Sequence, residues 1–211
     1  MASKKKSAVE LKADPEYWKA FAQLMARIEA ALGDYSGPPV PVYVAGGAAS
    51  HIYTGARFSH DIDAAIGRRL LLPRNLEVMY RDTGGSLRTL YFDRQYNDTL
   101  GLMHQDAHRD SVPLDVPGVD PKRLQVRVLA PVDLAVSKLA RFAEPDREDI
   151  QALARAGLLT SDDLRAGGLH RARKGRADLD RPRLPPDRRR EVIGTDPGSS
   201  WFCFTGVCPW F

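Results

Sequence analysis

An α/β (α+β) domain, with a small mixed β-sheet flanked by helices, is the fold this sequence predicts. Three observations point to it: an amphipathic helix over residues 14–32, short β-branched runs between residues 40 and 130, and two helical segments after Pro131. The 211 residues suffice for one domain with a full core, and 43% hydrophobic with 27% charged residues is a globular balance.

The elements follow in order. In 14–32, Trp18, Phe21, Leu24, Met25, Ile28 and Leu32 recur at helical spacing. Asp14 is the expected N-cap, Pro15 the first helical residue and Gly33 the stop. VPVYVAGG is a strand entering a tight turn at Gly46-Gly47, and ASHIYTGA a short helix. HDIDAAI alternates, with Ile62, Ala64 and Ile66 on one face and Asp61, Asp63 and Ala65 on the other, so it is expected as one half-buried strand. Residues 73–82 suggest a helix. LRTLYFD, TLGLMH, SVPLDV and LQVRVLA read as further strands, and VDLAVSKLARFA and DREDIQALARAG as the closing helices.

This divides the chain into a flexible segment 1–13, a domain 14–168 and a tail 169–211. Residues 171–211 hold nine Lys/Arg against five Asp/Glu, so the whole net charge of +4 lies there and the body is neutral. The tail is rich in Arg and Pro and ends in GSSWFCFTGVCPWF, with no period that would bury its aromatics. It is expected to be disordered, or to be text produced by a reading-frame slip near residue 170. No apolar run approaches the roughly 20 residues that span a bilayer, and MASKKKSAVELK has no apolar stretch after its basic residues, so a cytoplasmic protein without membrane contact is expected. Cys203 and Cys208 make neither a disulfide framework nor a four-ligand zinc site. His51, His60 and His104 lack a second ligand at helical spacing and are expected as core or surface residues.

The chemistry is concentrated in VYVAGGAASHIYTGARFSHDIDAAI. Glycine lets a backbone approach a ligand closely, and N–H groups at a helix start suit phosphate. Aspartates at i and i+2 of a strand share a face, where their hard oxygens suit divalent cations such as Mg²⁺ or Mn²⁺. Two such ions can clamp the attacking and leaving oxygens of a phosphoryl displacement.

With Gly46-Gly47 followed after thirteen residues by Asp61-Ile62-Asp63, and Arg57-Phe58-Ser59 between, the chain resembles the DNA-polymerase-β-like nucleotidyltransferases. Residues 15–165 resemble most the AbiEii-type toxin nucleotidyltransferases and the DUF6036 group, the segment PVDLAVSKLARFAEPDREDI being similar to their lysine and Arg/Lys-Asp motif. The resemblance implies a nucleotidyltransferase fold, an NTP substrate, metal at Asp61 and Asp63, and an acceptor such as tRNA or protein. It implies nucleotide contacts from Gly46, Gly47, Arg57 and Ser59, phosphate binding by Lys138, and a role for Asp149 with the acceptor. It also implies a third carboxylate on a neighbouring strand, for which Asp115 is the first candidate, as metal ligand and base, and Asp93 the second. Two positions depart from the pattern: Gly47 stands where serine is usual, and Ala152 where an acid is usual. Competing readings stand beside these. Arg57 is able to pair with Asp61, and a lysine on an apolar helix commonly snorkels to solvent. The fold also serves non-catalytic partners of a toxin–antitoxin pair, and small-molecule enzymes that modify antibiotics.

Overall fold

The computed structural model describes residues 10–96, 106–139 and 141–167. The segment 97–105, with His104 and the expected TLGLMH strand, lies outside the described residues, as do residues 1–9 and the tail from 168 with Cys203 and Cys208.

Helix α1 (Pro15–Ala30) starts as its sequence dictates: Asp14 caps it, accepting from the Glu16 and Tyr17 amides at 2.9 and 3.0 Å. Tyr17, Phe21, Leu24, Met25 and Ile28 are fully buried. Each such side chain contributes on the order of 1.5–3 kcal/mol. Trp18 is displaced from this stripe. It is only partly buried and stacks on Phe21 at 5.1 Å, while Tyr17, four residues before Phe21, takes the core position.

Strand β1 (Val40–Val44) buries Val40, Val42 and Val44 and runs into α2 (Gly46–Thr54), which ends at the left-handed Gly55. The expected single strand over HDIDAAI is two, β2 (Asp61–Ile62) and β3 (Ala64–Ile66), broken at Asp63. Strands β4 (Glu77–Arg81) and β5 (Leu87–Phe92) form an antiparallel hairpin. The helix expected over 73–82 is therefore absent. Leu76, Val78 and Tyr80 turn inward at a period of two while Glu77, Met79 and Arg81 face out, and burial of the alternate face outweighs the helix preference of Leu, Glu and Met. A short helix α3 (Ala107–Asp110) precedes β6 (Val112–Pro113), all that remains of the strand expected in SVPLDV. Then come β7 (Leu124–Val128), α4 (Pro131–Leu139) and α5 (Glu144–Arg155), with residues 161–167 helical again.

The strands build two small mixed sheets, in the orders β3-β1-β7-β6 and β2-β5-β4. In the first, β1 is parallel to β7 and antiparallel to β3. In the second, β2 is parallel to β5. The chain steps from one sheet to the other at Asp63, whose carbonyl accepts from the Ala45 amide at 2.8 Å. The glycine turn and the aspartates are thereby joined at the seam between the sheets. Among the described residues no helix is long and apolar enough to cross a membrane.

Candidate active site

Four segments meet at this seam: the start of α2, the run from Arg57 to Asp63, the end of β5, and the α4–α5 pair. Gly46 opens α2 with φ of +60°, and a Cβ there would collide with Oδ2 of Asp63. Only glycine satisfies both demands. Gly47 is equally confined, since a Cβ would come 2.5 Å from Ser59 Oγ and 3.0 Å from Arg57 Nη2. The Ser59 hydroxyl thus fills the space a serine at position 47 would take, and it donates to Asp61 Oδ1 at 2.8 Å.

Ile62 is fully buried, whereas Asp61 and Asp63 on either side of it are partly exposed. The ladder pairs Asp61 with Tyr91 and Ile62 with Phe92, and Asp93 donates its amide to the Ile62 carbonyl at 3.1 Å. One step further, Asp93 falls beside Asp63. Burial pushes the Asp63 carboxyl up to about 6, and the neighbouring charges of Asp61 and Asp93 add to the rise. Lys138 and Arg141 oppose it from α4 and the turn that follows. Tyr91, whose phenol is raised first by the Asp61 charge and then by burial, lines the same face. Tyr91 was not singled out from sequence. Its position two residues before Asp93 is the signal that would have found it.

Asp115 does not join this group. Val112 pairs with Val128, Val128 with Val44, and Val44 with Ala64. From that level Asp63 lies one residue in one direction and Asp115 three residues in the other, three strands away or roughly 14 Å across the sheet. The second candidate, Asp93, is the carboxylate the register brings to the pair.

Arg57 pairs with Asp149 instead of Asp61. Its Nη2 and Nε donate to Oδ2 and Oδ1 of Asp149 at 2.9 and 3.3 Å. Lys138 does not snorkel. It is 6% exposed, donates to Asp149 Oδ2 at 2.6 Å, and lies 3.7 Å from Asp146 Oδ1. Arg141 clasps Asp146 with two bonds of 2.7 and 2.9 Å, and Asp146 accepts from the Ala143 amide at the start of α5. Asp149 and Asp146 are buried and each lies against two cations, with Lys138 shared between them. His51, buried in α2, holds Arg57 from behind. Its Nδ1 lies 2.9 Å from the Arg57 carbonyl, and its Nε2 accepts from the Asp14 amide at 3.2 Å. Nδ1 therefore carries the proton and the ring is neutral. His60 is exposed.

The donors facing the seam are carboxylate oxygens, which suit a hard divalent cation, and the cradle at Gly46 holds one of them in place. Among the described residues no three His, Cys, Asp or Glu side chains stand close enough together to hold an ion as placed. Asp93 Oδ1 is engaged with the Gln95 amide at 2.8 Å. Residues 19–166, well over half of the chain, match the family described as "Nucleotidyltransferase of unknown function (DUF6036)". No curated protein matches the chain.

Proposed function

The chain belongs to the DUF6036 nucleotidyltransferases of unknown function, and from that membership we propose that it moves a nucleoside monophosphate from an NTP to a hydroxyl on a macromolecular acceptor, tRNA or protein. A bond forms between the acceptor oxygen and the α-phosphorus. The bond to pyrophosphate breaks, and the hydroxyl proton passes to a carboxylate. The observation that carries this reading is the seat of Asp63 against Gly46, with Asp61 and Asp93 beside it. Asp61, Asp63 and Asp93 would hold Mg²⁺ or Mn²⁺, which supplies charge stabilisation to the transferring phosphoryl group. The amides at Gly46 and Gly47, at the start of α2, would meet phosphate. An in-line displacement has its nucleophile opposite the leaving group. With pyrophosphate at the glycine turn, the acceptor enters from the β5 side, where Asp93 is the nearest base and Tyr91 the wall. A place in a toxin–antitoxin pair, with a cognate antitoxin as partner, is part of the same proposal and rests on the sequence resemblance to AbiEii-type toxins alone.

Incubation with each α-labelled NTP, Mg²⁺ and either total tRNA or soluble protein tests this. Label should enter one acceptor, and Asp61→Asn and Asp63→Asn should each abolish transfer in a folded protein. A second reading, a non-catalytic binding module, is favoured by the absence of a converged three-carboxylate cluster among the described residues. Under that reading no NTP yields labelled acceptor and the two variants keep partner binding.

A further inference from the structure

We propose that Arg57, and not Lys138, is the cation that meets the β- and γ-phosphates, and that Lys138 acts on it only through Asp149. The inference rests on the nucleotidyl-transfer reading and assigns the phosphate-binding group within it.

The geometry separates the two cations. Arg57 Nη2 lies over the glycine turn, 3.0 Å from where a Cβ of Gly47 would stand. Its side chain is 37% exposed, against 5% for that of Lys138. A guanidinium has five N–H donors in a fixed fork. The Arg57 fork spends Nε and one Nη2 hydrogen on Asp149, which leaves three of its five donors on a partly exposed side chain. Lys138 is instead enclosed. Its ammonium sits between Asp149 at 2.6 Å and Asp146 at 3.7 Å, and reaching a phosphate would draw it away from both buried carboxylates. Asp149 Oδ2 is the shared atom, accepting from Lys138 and from Arg57 at once. Lys138 thereby holds Asp149 in the one position from which it can orient the Arg57 fork. His51 fixes the backbone of Arg57 from the other side. Lys138 and Asp149 are then positioning residues, and Arg57 touches the substrate.

The test is calorimetric binding of Mg²⁺-ATP and of inorganic tripolyphosphate to the full chain. Arg57→Ala should weaken both ligands about ten- to a hundredfold, the loss of one charge-assisted contact. Lys138→Met should weaken both in the wild-type background and have no further effect in the Arg57→Ala background, while Lys138→Arg restores affinity. Asp149→Asn keeps both cations and remains informative should Lys138→Met not fold. Relay through Asp149 predicts weaker binding, whereas a direct lysine contact predicts equal or tighter binding, because the ammonium is released. Losses that multiply in Arg57→Ala/Lys138→Met, or tighter binding by Asp149→Asn, would overturn the assignment and leave nucleotidyl transfer standing. Absence of ATP and tripolyphosphate binding by the wild-type chain would overturn the nucleotidyl-transfer reading and the assignment with it.

Discussion

At the scale of single residues, Asp63 is held where an anion is unwelcome. It is part-buried, faces two other carboxylates and abuts Gly46, and its carboxyl rises to about 6, chiefly through burial. A carboxyl raised in the folded state binds its proton more tightly there than in the unfolded chain. Stability therefore falls as pH rises from the ordinary carboxylate value through 6, and the charged form destabilises the protein above that, by about 1–3 kcal/mol for a shift of this size. Asp63→Asn should accordingly raise the melting temperature at pH 7.5 in the absence of divalent ions while eliminating transfer. Added Mg²⁺ should raise the wild-type melting temperature and not that of the variant. Thermal melts with and without Mg²⁺ at pH 7.5 check this, and a variant less stable than wild type without metal would contradict it. The proposed cation site therefore predicts that stability and activity run in opposite directions at this residue, since the repulsion is relieved only when an ion is bound.

At the scale of elements, α1 and α2 are tied to the site by His51. Its ring packs 4.3 Å from Tyr17 and 4.8 Å from Phe58 and bridges the Asp14 amide to the Arg57 carbonyl. Burial lowers its pKa below the ordinary histidine value, with the Arg57 carbonyl and the Asp14 charge opposing. Here the folded state resists the proton, so this contribution to stability is present above about pH 6.5 and is lost on acidification. The imidazolium would also have no lone pair for the Asp14 amide, which would break the link to the α1 cap. Asp63 drives the opposite trend over the same range. In an Asp63→Asn background the melting temperature should therefore fall more steeply between pH 7 and 5 than in wild type. Adding His51→Gln should flatten that fall while lowering stability at pH 7 by about 1–3 kcal/mol, for the buried hydrogen bonds disturbed. Melting curves across this range resolve the two. A fall of unchanged steepness with His51→Gln would show that another group titrates.

At the scale of the whole molecule, the core runs from Tyr17 to Leu159 and includes residues of every strand pair and of α1, α2, α4 and α5. The family match ends at residue 166, close to the last described helical turn. The tail beyond it carries the entire net charge and no apolar period. A chain ending at residue 167 should melt within a few degrees of the full chain and keep nucleotide binding. A drop of more than about 8 °C would correspond to about 2–4 kcal/mol or more from the tail, and would mean that its aromatics belong to the core.

The sequence by itself determined what depends on neighbouring residues: the Asp14 cap and amphipathic stripe of α1, the Val40–Val44 strand running into Gly46-Gly47, and the closing helices. Capping, period and glycine conformation are local chemistry. What needed the tertiary structure was pairing across distance. The segment at 77–81 became a strand because β5 offered a partner and α1 covered its inner face. HDIDAAI split because its halves pair with different sheets. That Asp93 and not Asp115 lies beside Asp63 turned on register, since one ladder brings β5 beside Asp63 and another carries Asp115 away. Lys138 and Asp149 are eleven residues apart, and Arg57 lies 92 residues before Asp149. Their meeting follows from α5 packing on α2 and α4, so the contact of both cations with Asp149 was decided only when those helices met.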